Sequence, residues 1–176
     1  LDPVQRVATL LLEQGYVADR PLATVLHLAH TLESPVLLEG EPGVGKTAVA
    51  EALAAALGLL RVRLQCYEGL SAHHALYEWD YAKQMLYTQL LRDSIAAFAG
   101  GSESIVDAVD RLAGAESAFF SKRFLIARPL LQVIESDEPT VLLIDEVDRA
   151  DPEFEAFLLE ILAENQVTIP ELGTRK

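Results

Sequence analysis

The chain has 176 residues, of which 51% are hydrophobic and 23% charged, enough for one domain with a buried core. Its net charge of −13 disfavours nucleic acid as a partner, because an acidic surface repels a phosphate backbone. The single cysteine, Cys66, excludes an internal disulfide, and every apolar run is shorter than the ~20 residues of a membrane-spanning helix. These features predict a cytoplasmic protein without a transmembrane segment.

Helical and strand patterns alternate in the first third of the chain. Apolar residues recur at helical spacing over residues 2–14 and again over 21–32, which predicts two amphipathic helices. Residues 35–38 form a short apolar run before a glycine, typical of a strand buried on both faces. Residues 47–57 are rich in Ala, Glu and Leu and end at a glycine, which predicts a helix.

The remaining two thirds continue this alternation. Residues 61–65 alternate polar and apolar side chains, and residues 140–144 form the strongest strand pattern in the chain. Between them, residues 72–135 have a mostly helical pattern. An Asp-Pro pair then begins a helix over 151–165, and residues 167–169 read as a further strand. This order predicts an α/β fold with a parallel sheet, in one domain with a helical excursion in its middle.

Residues 40–47 read GEPGVGKT, which matches the phosphate-binding loop pattern of two glycines separated by four residues and followed by Lys-Thr. Because the loop lies between a predicted strand and a predicted helix, the backbone N–H groups of residues 43–47 can point at phosphate oxygens. Lys46 would reach the β- and γ-phosphates, and the Thr47 hydroxyl would ligate Mg²⁺. The alternative is an ordinary strand-to-helix turn with a solvated lysine.

Two acidic residues, Asp145 and Glu146, follow the apolar run 140–144. The carboxyl ends of parallel strands meet at one edge of a sheet, so this pair is expected beside the glycine-rich loop. Asp145 would hold Mg²⁺ through water, and Glu146 would polarise the water that attacks the γ-phosphoryl group. The alternative is a strand end that is acidic because it meets solvent.

Several longer motifs, together with these two, resemble an AAA+ ATPase of the MoxR branch. They are LLEGEPGVGKT, CYEGL, LYEWDYAKQML, RPLLQ and LIDEVDRADPEFEAFLLEIL followed by QVTIPELG. Within that branch the chain is most similar to the group associated with maturation of molybdenum-containing carbon monoxide dehydrogenase. The resemblance extends from about Tyr16 to Gly173, which is nearly the whole chain.

The resemblance implies a Mg-dependent ATPase that forms a ring, typically a hexamer, and acts as a remodelling or maturation chaperone. Its expected partners are a von Willebrand factor A domain protein and a metalloenzyme client. It implies that Tyr16 and Val17 border the adenine. The residues that it implies for holding Mg-ATP are Gly43, Val44, Gly45, Lys46, Thr47, Ala48, Asp145 and Glu146.

The resemblance also implies a P-loop NTPase (AAA+) three-layer sandwich whose parallel sheet has the strand order 5-1-4-3-2. In that order, strand four separates the strand before the loop from the strand before the acid pair. The chain ends before the residues expected for the sensor strand, the arginine-finger region and the helical lid. The resemblance therefore predicts residues 1–176 to be a partial nucleotide-binding domain. Its unpaired strand edges predict that the chain alone folds poorly or associates.

Two other functions share the loop and the acid pair. A nucleic-acid motor predicts a basic channel, which the net charge of −13 opposes. In a non-hydrolysing scaffold, nucleotide binding alone shifts a conformational equilibrium. Glu146 favours hydrolysis over the scaffold.

Overall fold

A computed structural model of the chain describes residues 2–90, 120–164, 166–169 and 173–175. It has two compact units, residues 1–70 with 135–165 and residues 71–134 with 166–176. Residues 72–134 of the range predicted as a helical excursion belong to the second unit. No helix among the described residues is long and apolar enough to cross a membrane.

The described helices and strands are, in chain order, α1 (Pro3–Glu13), α2 (Arg20–Leu32), α3 (Lys46–Leu57), β1 (Leu60–Gln65), α4 (Ala72–Leu76), β2 (Tyr77–Trp79), α5 (Tyr81–Leu90), β3 (Leu125–Ala127), α6 (Pro129–Ile134), β4 (Thr140–Asp145), α7 (Pro152–Glu164), β5 (Val167–Ile169) and β6 (Gly173–Arg175). Short 3-10 turns precede β3 and α7. The predicted helices in the first third of the chain, and the strands predicted at 61–65, 140–144 and 167–169, coincide with observed elements to within a few residues.

Capping side chains determine where the first two helices begin. The carboxylate of Asp2 accepts a hydrogen bond from the Val4 N–H at 2.8 Å, and that of Asp19 accepts one from the Leu22 N–H at 2.9 Å. Each aspartate satisfies a backbone donor that has no partner within the helix, and a proline in the first turn follows it. The apolar faces of these helices then pack on α3 in one core cluster, whose buried members are Leu11, Leu26, Val49 and Ala52.

The first unit contains the parallel pair of β1 and β4. The register of this pair runs from Leu60 opposite Thr140 to Gln65 opposite Asp145. Helix α3 contacts both strands, so the helix that follows the glycine-rich loop lies on the sheet. Parallel strands covered by helices confirm the predicted α/β fold class.

Residues 35–38 do not form the predicted strand. Val36 and Leu38 are half-buried against the core cluster, but Leu37 between them is 71% exposed, so only one face of this segment packs. A strand also needs a neighbour for its backbone hydrogen bonds, and no strand in the described part of the chain pairs with these residues. The prediction of a strand buried on both faces was therefore wrong for this structure.

The second unit corrects the helical prediction for residues 72–135. Strands β2 and β3 lie inside that range and pair antiparallel, with Glu78 opposite Ile126. Tyr77 and Trp79 are both buried, and their rings meet edge to face at 5.7 Å. Aromatic residues favour strands where they can pack on one face, and pairing with residues almost 50 positions away overrode the local helical pattern. The part of that prediction on residues 91–119 lies outside the described residues.

Strands β5 and β6 pair antiparallel within the second unit. Val167 and Ile169 are buried and Thr168 is exposed, which is the alternation expected of a half-buried strand. The sequence predicted β5 but not its partner β6.

Candidate functional site

The glycine-rich loop has a backbone that only glycine adopts readily. Gly43 and Gly45 have φ values of 87° and 94°, in the left-handed region, and Gly45 directly precedes the first residue of α3. At Gly40 an added Cβ would lie 3.3 Å from Cγ2 of Val44. Val44 itself is 61% exposed. The loop therefore exposes backbone at the N-terminus of a helix, as the sequence motif predicts.

Tyr16 lies against this loop. A Cβ at Gly45 would be 3.6 Å from Cε2 of Tyr16 and 3.9 Å from its hydroxyl oxygen. The backbone N–H of Tyr16 donates to the carbonyl of Leu11 at 3.0 Å, so the end of α1 holds this residue in place. Val17 follows with 81% of its surface exposed. Residues that are 29 positions apart in the chain are thus brought together, and an exposed apolar side chain lies beside them.

Lys46 folds back across the loop. Its Nζ donates hydrogen bonds to the carbonyl oxygens of Gly40 at 2.6 Å and Glu41 at 2.8 Å. The ammonium group is therefore held at the loop rather than extended into solvent, which disfavours the alternative of an ordinary turn with a solvated lysine. Thr47 and Ala48 follow in the first turn of α3, and Ala48 is exposed.

The acid pair meets the loop through one contact. Asp145 is the last residue of β4, and its Oδ2 lies 3.4 Å from the hydroxyl oxygen of Thr47. Its other oxygen, Oδ1, accepts the backbone N–H of Glu146 at 3.0 Å. A hydroxyl and a carboxylate are hard oxygen donors of the kind that Mg²⁺ prefers. The two residues fit a magnesium ion that takes its other ligands from water and phosphate.

Glu146 has an unusual backbone and an ion-pair partner. Its φ of 53° lies in the left-handed region, which is uncommon for a residue with a side chain and often marks a functional position. Its Oε2 accepts a hydrogen bond from Nη1 of Arg149 at 2.9 Å, and this bond raises the pKa of the Arg149 guanidinium. The side chain that would activate water is thus paired with an arginine three residues further on.

Arg63 is a member of the site that the sequence did not reveal. Its Nη2 lies 2.7 Å from Oδ2 of Asp145, the same oxygen that faces Thr47. The same nitrogen is 2.7 Å from Oε1 of Gln65, which is the register partner of Asp145. The sequence showed only that polar and apolar residues alternate along 61–65, as they do in a strand. The pairing of β1 with β4 was needed to place Arg63 beside Asp145.

The acids at this end of the sheet act on Cys66, the residue that follows β1. Burial raises the pKa of the Cys66 thiol, and the charges of Asp145, Asp148 and Glu146 raise it further. Among the described residues, no three His, Cys, Asp or Glu side chains are arranged to hold a metal ion by themselves.

The left-handed backbone at Gly45 predicts a measurable loss of stability on substitution. Gly45→Ala is expected to lower the free energy of unfolding by about 1–2 kcal/mol, because a Cβ is disfavoured in this region of φ. The contact of 3.6 Å with Tyr16 is ordinary van der Waals distance and adds no clash. Chemical denaturation of the two proteins measures the difference.

Gly58→Ala is the matched control, since Gly58 has a φ of 65° at the other end of α3 with no atom within 4 Å of an added Cβ. Both variants should lose similar stability, whereas only Gly45→Ala should also weaken nucleotide binding. Equal stability of Gly45→Ala and the unchanged protein would contradict the loop conformation described above.

One comparison with known proteins identifies the family. The family model that describes an AAA domain of the dynein-related subfamily matches residues 35–176, which include the loop, Arg63 and the acid pair. Among curated proteins and solved structures, no match to the chain was found. AAA domains bind nucleotides, typically with Mg²⁺, and are ATPases as a class. Because the family model covers well over half of its length, the chain belongs to the AAA domain family, in the dynein-related subfamily.

Proposed function

We propose that this AAA domain binds Mg-ATP at the loop and the acid pair, and that ATP hydrolysis drives chaperone-like remodelling or maturation of a metalloenzyme client. One observation carries the proposal for the nucleotide site. Thr47 and Asp145 are 98 residues apart in the chain, yet their side-chain oxygens lie 3.4 Å apart. Such a pair of oxygen donors beside a glycine-rich helix N-terminus suits a metal-bound triphosphate.

Each loop residue has a proposed task. The backbone N–H groups of residues 43–47 would donate to phosphate oxygens, and Lys46 would exchange its two loop carbonyls for oxygens of the β- and γ-phosphates. Tyr16, whose ring lies on Gly45, and the exposed Val17 would border the adenine. Val44, within the loop, and Ala48, directly after it, are exposed and complete this surface.

The acid pair would supply the hydrolytic part of the site. Thr47 and Asp145 would hold Mg²⁺, which when bound neutralises charge on the phosphates. Glu146, once released from Arg149, would accept a proton from the attacking water. While the ion pair with Arg149 persists, Glu146 would be a poorer general base, because a paired carboxylate accepts a proton less readily.

The wider biological role is proposed from sequence motifs alone. Similarity to the MoxR branch, and within it to the group associated with carbon monoxide dehydrogenase maturation, supports a metalloenzyme client and a partner with a von Willebrand factor A domain. The same similarity supports a homo-oligomer, a hexameric ring. AAA domains commonly oligomerise, which agrees with this assembly. The cytoplasmic location is proposed from the single cysteine and the short apolar runs of the sequence.

Calorimetric titration of the Thr47→Val variant with ATP tests the nucleotide site. In excess Mg²⁺, this variant is expected to bind ATP about tenfold more weakly than the unchanged protein, because one oxygen donor to the cation is lost. In EDTA, the two proteins should bind ATP with similar affinity. Thr47→Ser keeps the hydroxyl and is the matched control, with affinity near that of the unchanged protein under both conditions.

Failure of the unchanged protein to bind Mg-ATP would refute the proposal. If Thr47→Val loses the same affinity in Mg²⁺ and in EDTA, Thr47 is not a ligand of the metal ion. In that case the contact with Asp145 would be structural only.

A non-hydrolysing scaffold is the second candidate, and the ion pair between Glu146 and Arg149 favours it. If that pair persists with nucleotide bound, ATP would bind without turnover, and binding itself would shift the conformation. Release of inorganic phosphate from saturating Mg-ATP, measured over hours, separates the two functions.

A further inference from the structure

We propose that Arg63 is a built-in counter-ion of Asp145 that a divalent cation has to displace, so that the cation binds well only together with nucleotide phosphates. This inference rests on the proposed Mg-ATP site and assigns a role to a residue that the motifs of that site leave out. It starts from a single atom. Oδ2 of Asp145 faces both the hydroxyl of Thr47 and the guanidinium of Arg63.

The position of Thr47 makes Oδ2 the oxygen of Asp145 that a shared cation would approach. Oδ1 already accepts the N–H of Glu146 at 3.0 Å, and that bond depends on the backbone at the end of β4. Oδ2 accepts Nη2 of Arg63 at 2.7 Å and is 3.4 Å from Oγ1 of Thr47. A cation held between Thr47 and Asp145 would therefore approach the oxygen that Arg63 already neutralises.

Two features of the fold hold Arg63 in this position. It lies on β1, and the register that places Gln65 opposite Asp145 puts Arg63 one pleat before the aspartate on the same face of the strand. Oε1 of Gln65 accepts the same Nη2 at 2.7 Å, so the guanidinium is shared between an amide and a carboxylate. Arg63 is therefore hydrogen-bonded both to Asp145 of the acid pair and to Gln65 of its own strand.

Electrostatics gives this arrangement a consequence for the cation. The guanidinium remains charged at any physiological pH, so a divalent ion on Oδ2 meets a positive neighbour within a few ångströms. The side chain of Arg63 is 49% exposed, so solvent screens part of this repulsion. The negative charge of the phosphate oxygens offsets the repulsion that solvent does not screen. The cation is then favoured with nucleotide and disfavoured without it.

Mn²⁺ binding in the absence of nucleotide, followed by electron paramagnetic resonance, tests the inference directly. Removal of the charge in Arg63→Gln is expected to tighten Mn²⁺ binding about tenfold, which corresponds to roughly 1.4 kcal/mol. Arg63→Lys keeps a positive charge and should bind Mn²⁺ as weakly as the unchanged protein. Circular dichroism on each variant checks that the fold is kept.

Arg61→Gln is the matched control. Arg61 lies two residues earlier on the same face of β1. Its side chain is 33% exposed, against 49% for Arg63, and it pairs with Glu51 at 2.7 Å instead of with the acid pair. Arg61→Gln removes the same formal charge from the same strand. Because Arg61 does not contact the acid pair, this variant should leave Mn²⁺ affinity unchanged. If Arg63→Gln binds Mn²⁺ no more tightly than Arg61→Gln, or if Arg63→Lys binds as tightly as Arg63→Gln, the inference is overturned.

A second titration separates this inference from the proposed function. With ATP present, the half-saturating Mg²⁺ concentrations of Arg63→Gln and the unchanged protein should differ by clearly less than the tenfold expected without nucleotide, because the phosphates offset the charge of Arg63. A loss of ATP affinity in EDTA would instead show that Arg63 contacts phosphate, and would overturn its role as a counter-ion. If the unchanged protein fails to bind Mg-ATP, the proposed function fails, while the nucleotide-free Mn²⁺ result still decides the role of Arg63.

Discussion

Glu146→Gln is expected to lower the rate of ATP hydrolysis by roughly 100- to 10,000-fold, the usual contribution of a positioned general base, while Mg-ATP still binds. Glutamine has nearly the same shape as glutamate but does not accept a proton from water. It also tolerates the backbone at this position about as well as glutamate, so the φ of 53° adds little to the difference in stability. The measurement is phosphate release at saturating Mg-ATP, with calorimetry to show that binding is retained.

Glu153→Gln is the control for this experiment. Glu153 lies in the first turn of α7 and is exposed, so its replacement removes one negative charge from the same unit without changing the acid pair. Its hydrolysis rate should stay within a factor of about two of that of the unchanged protein. Full activity in Glu146→Gln would exclude Glu146 as the base. Binding without turnover in the unchanged protein would favour the scaffold.

Lys46→Ala is expected to weaken Mg-ATP binding by roughly 100-fold. The ammonium group would make charge-assisted hydrogen bonds to two phosphate oxygens, and two such bonds at the low end of their range amount to about 3 kcal/mol. In the structure, Nζ already bonds to the carbonyls of Gly40 and Glu41, so its reach across the loop does not need a new backbone conformation. Calorimetric titration with Mg-ATP measures the loss.

Loss of those two carbonyl contacts could also loosen the loop itself, so the experiment needs a second lysine. Lys83→Ala serves, because Nζ of Lys83 likewise donates to a backbone carbonyl, that of Arg123, at 2.8 Å within the second unit. Both variants should show small and similar losses in thermal stability. Only Lys46→Ala should lose nucleotide affinity, and equal affinity in the two variants would contradict a phosphate-binding role for Lys46.

Local sequence was sufficient for features that depend on neighbouring residues. The helices α1 and α2 follow from an Asp-capped start, a proline in the first turn and apolar residues at helical spacing. The glycine-rich loop likewise depends on the backbone freedom of Gly43 and Gly45, which is a property of these residues and needs no distant partner. Such features are correctly predicted because the interactions that form them lie within a few residues of one another.

Strand predictions were less reliable because a strand is completed by a distant partner. Residues 35–38 have a strand-like composition but no partner among the described residues, and only one of their faces packs. Strands β2 and β3 lie in a region with a helical pattern, yet they pair across almost 50 positions. Local propensity does not contain this information, so composition overpredicted one strand and concealed two others.

By itself, the sequence of this protein determined the presence of a phosphate-binding loop and an acid pair, because each is a short contiguous motif. The order of helical and strand patterns along the chain indicated the α/β class, and the motifs together indicated the family. Only the tertiary structure decided which side chains meet at the loop and the acid pair. It placed Thr47 and Arg63 on one oxygen of Asp145 and set Tyr16 against Gly45. These contacts arise from the register of two parallel strands and from the packing of α1 near the loop, and a shift of one residue in either would bring different side chains together.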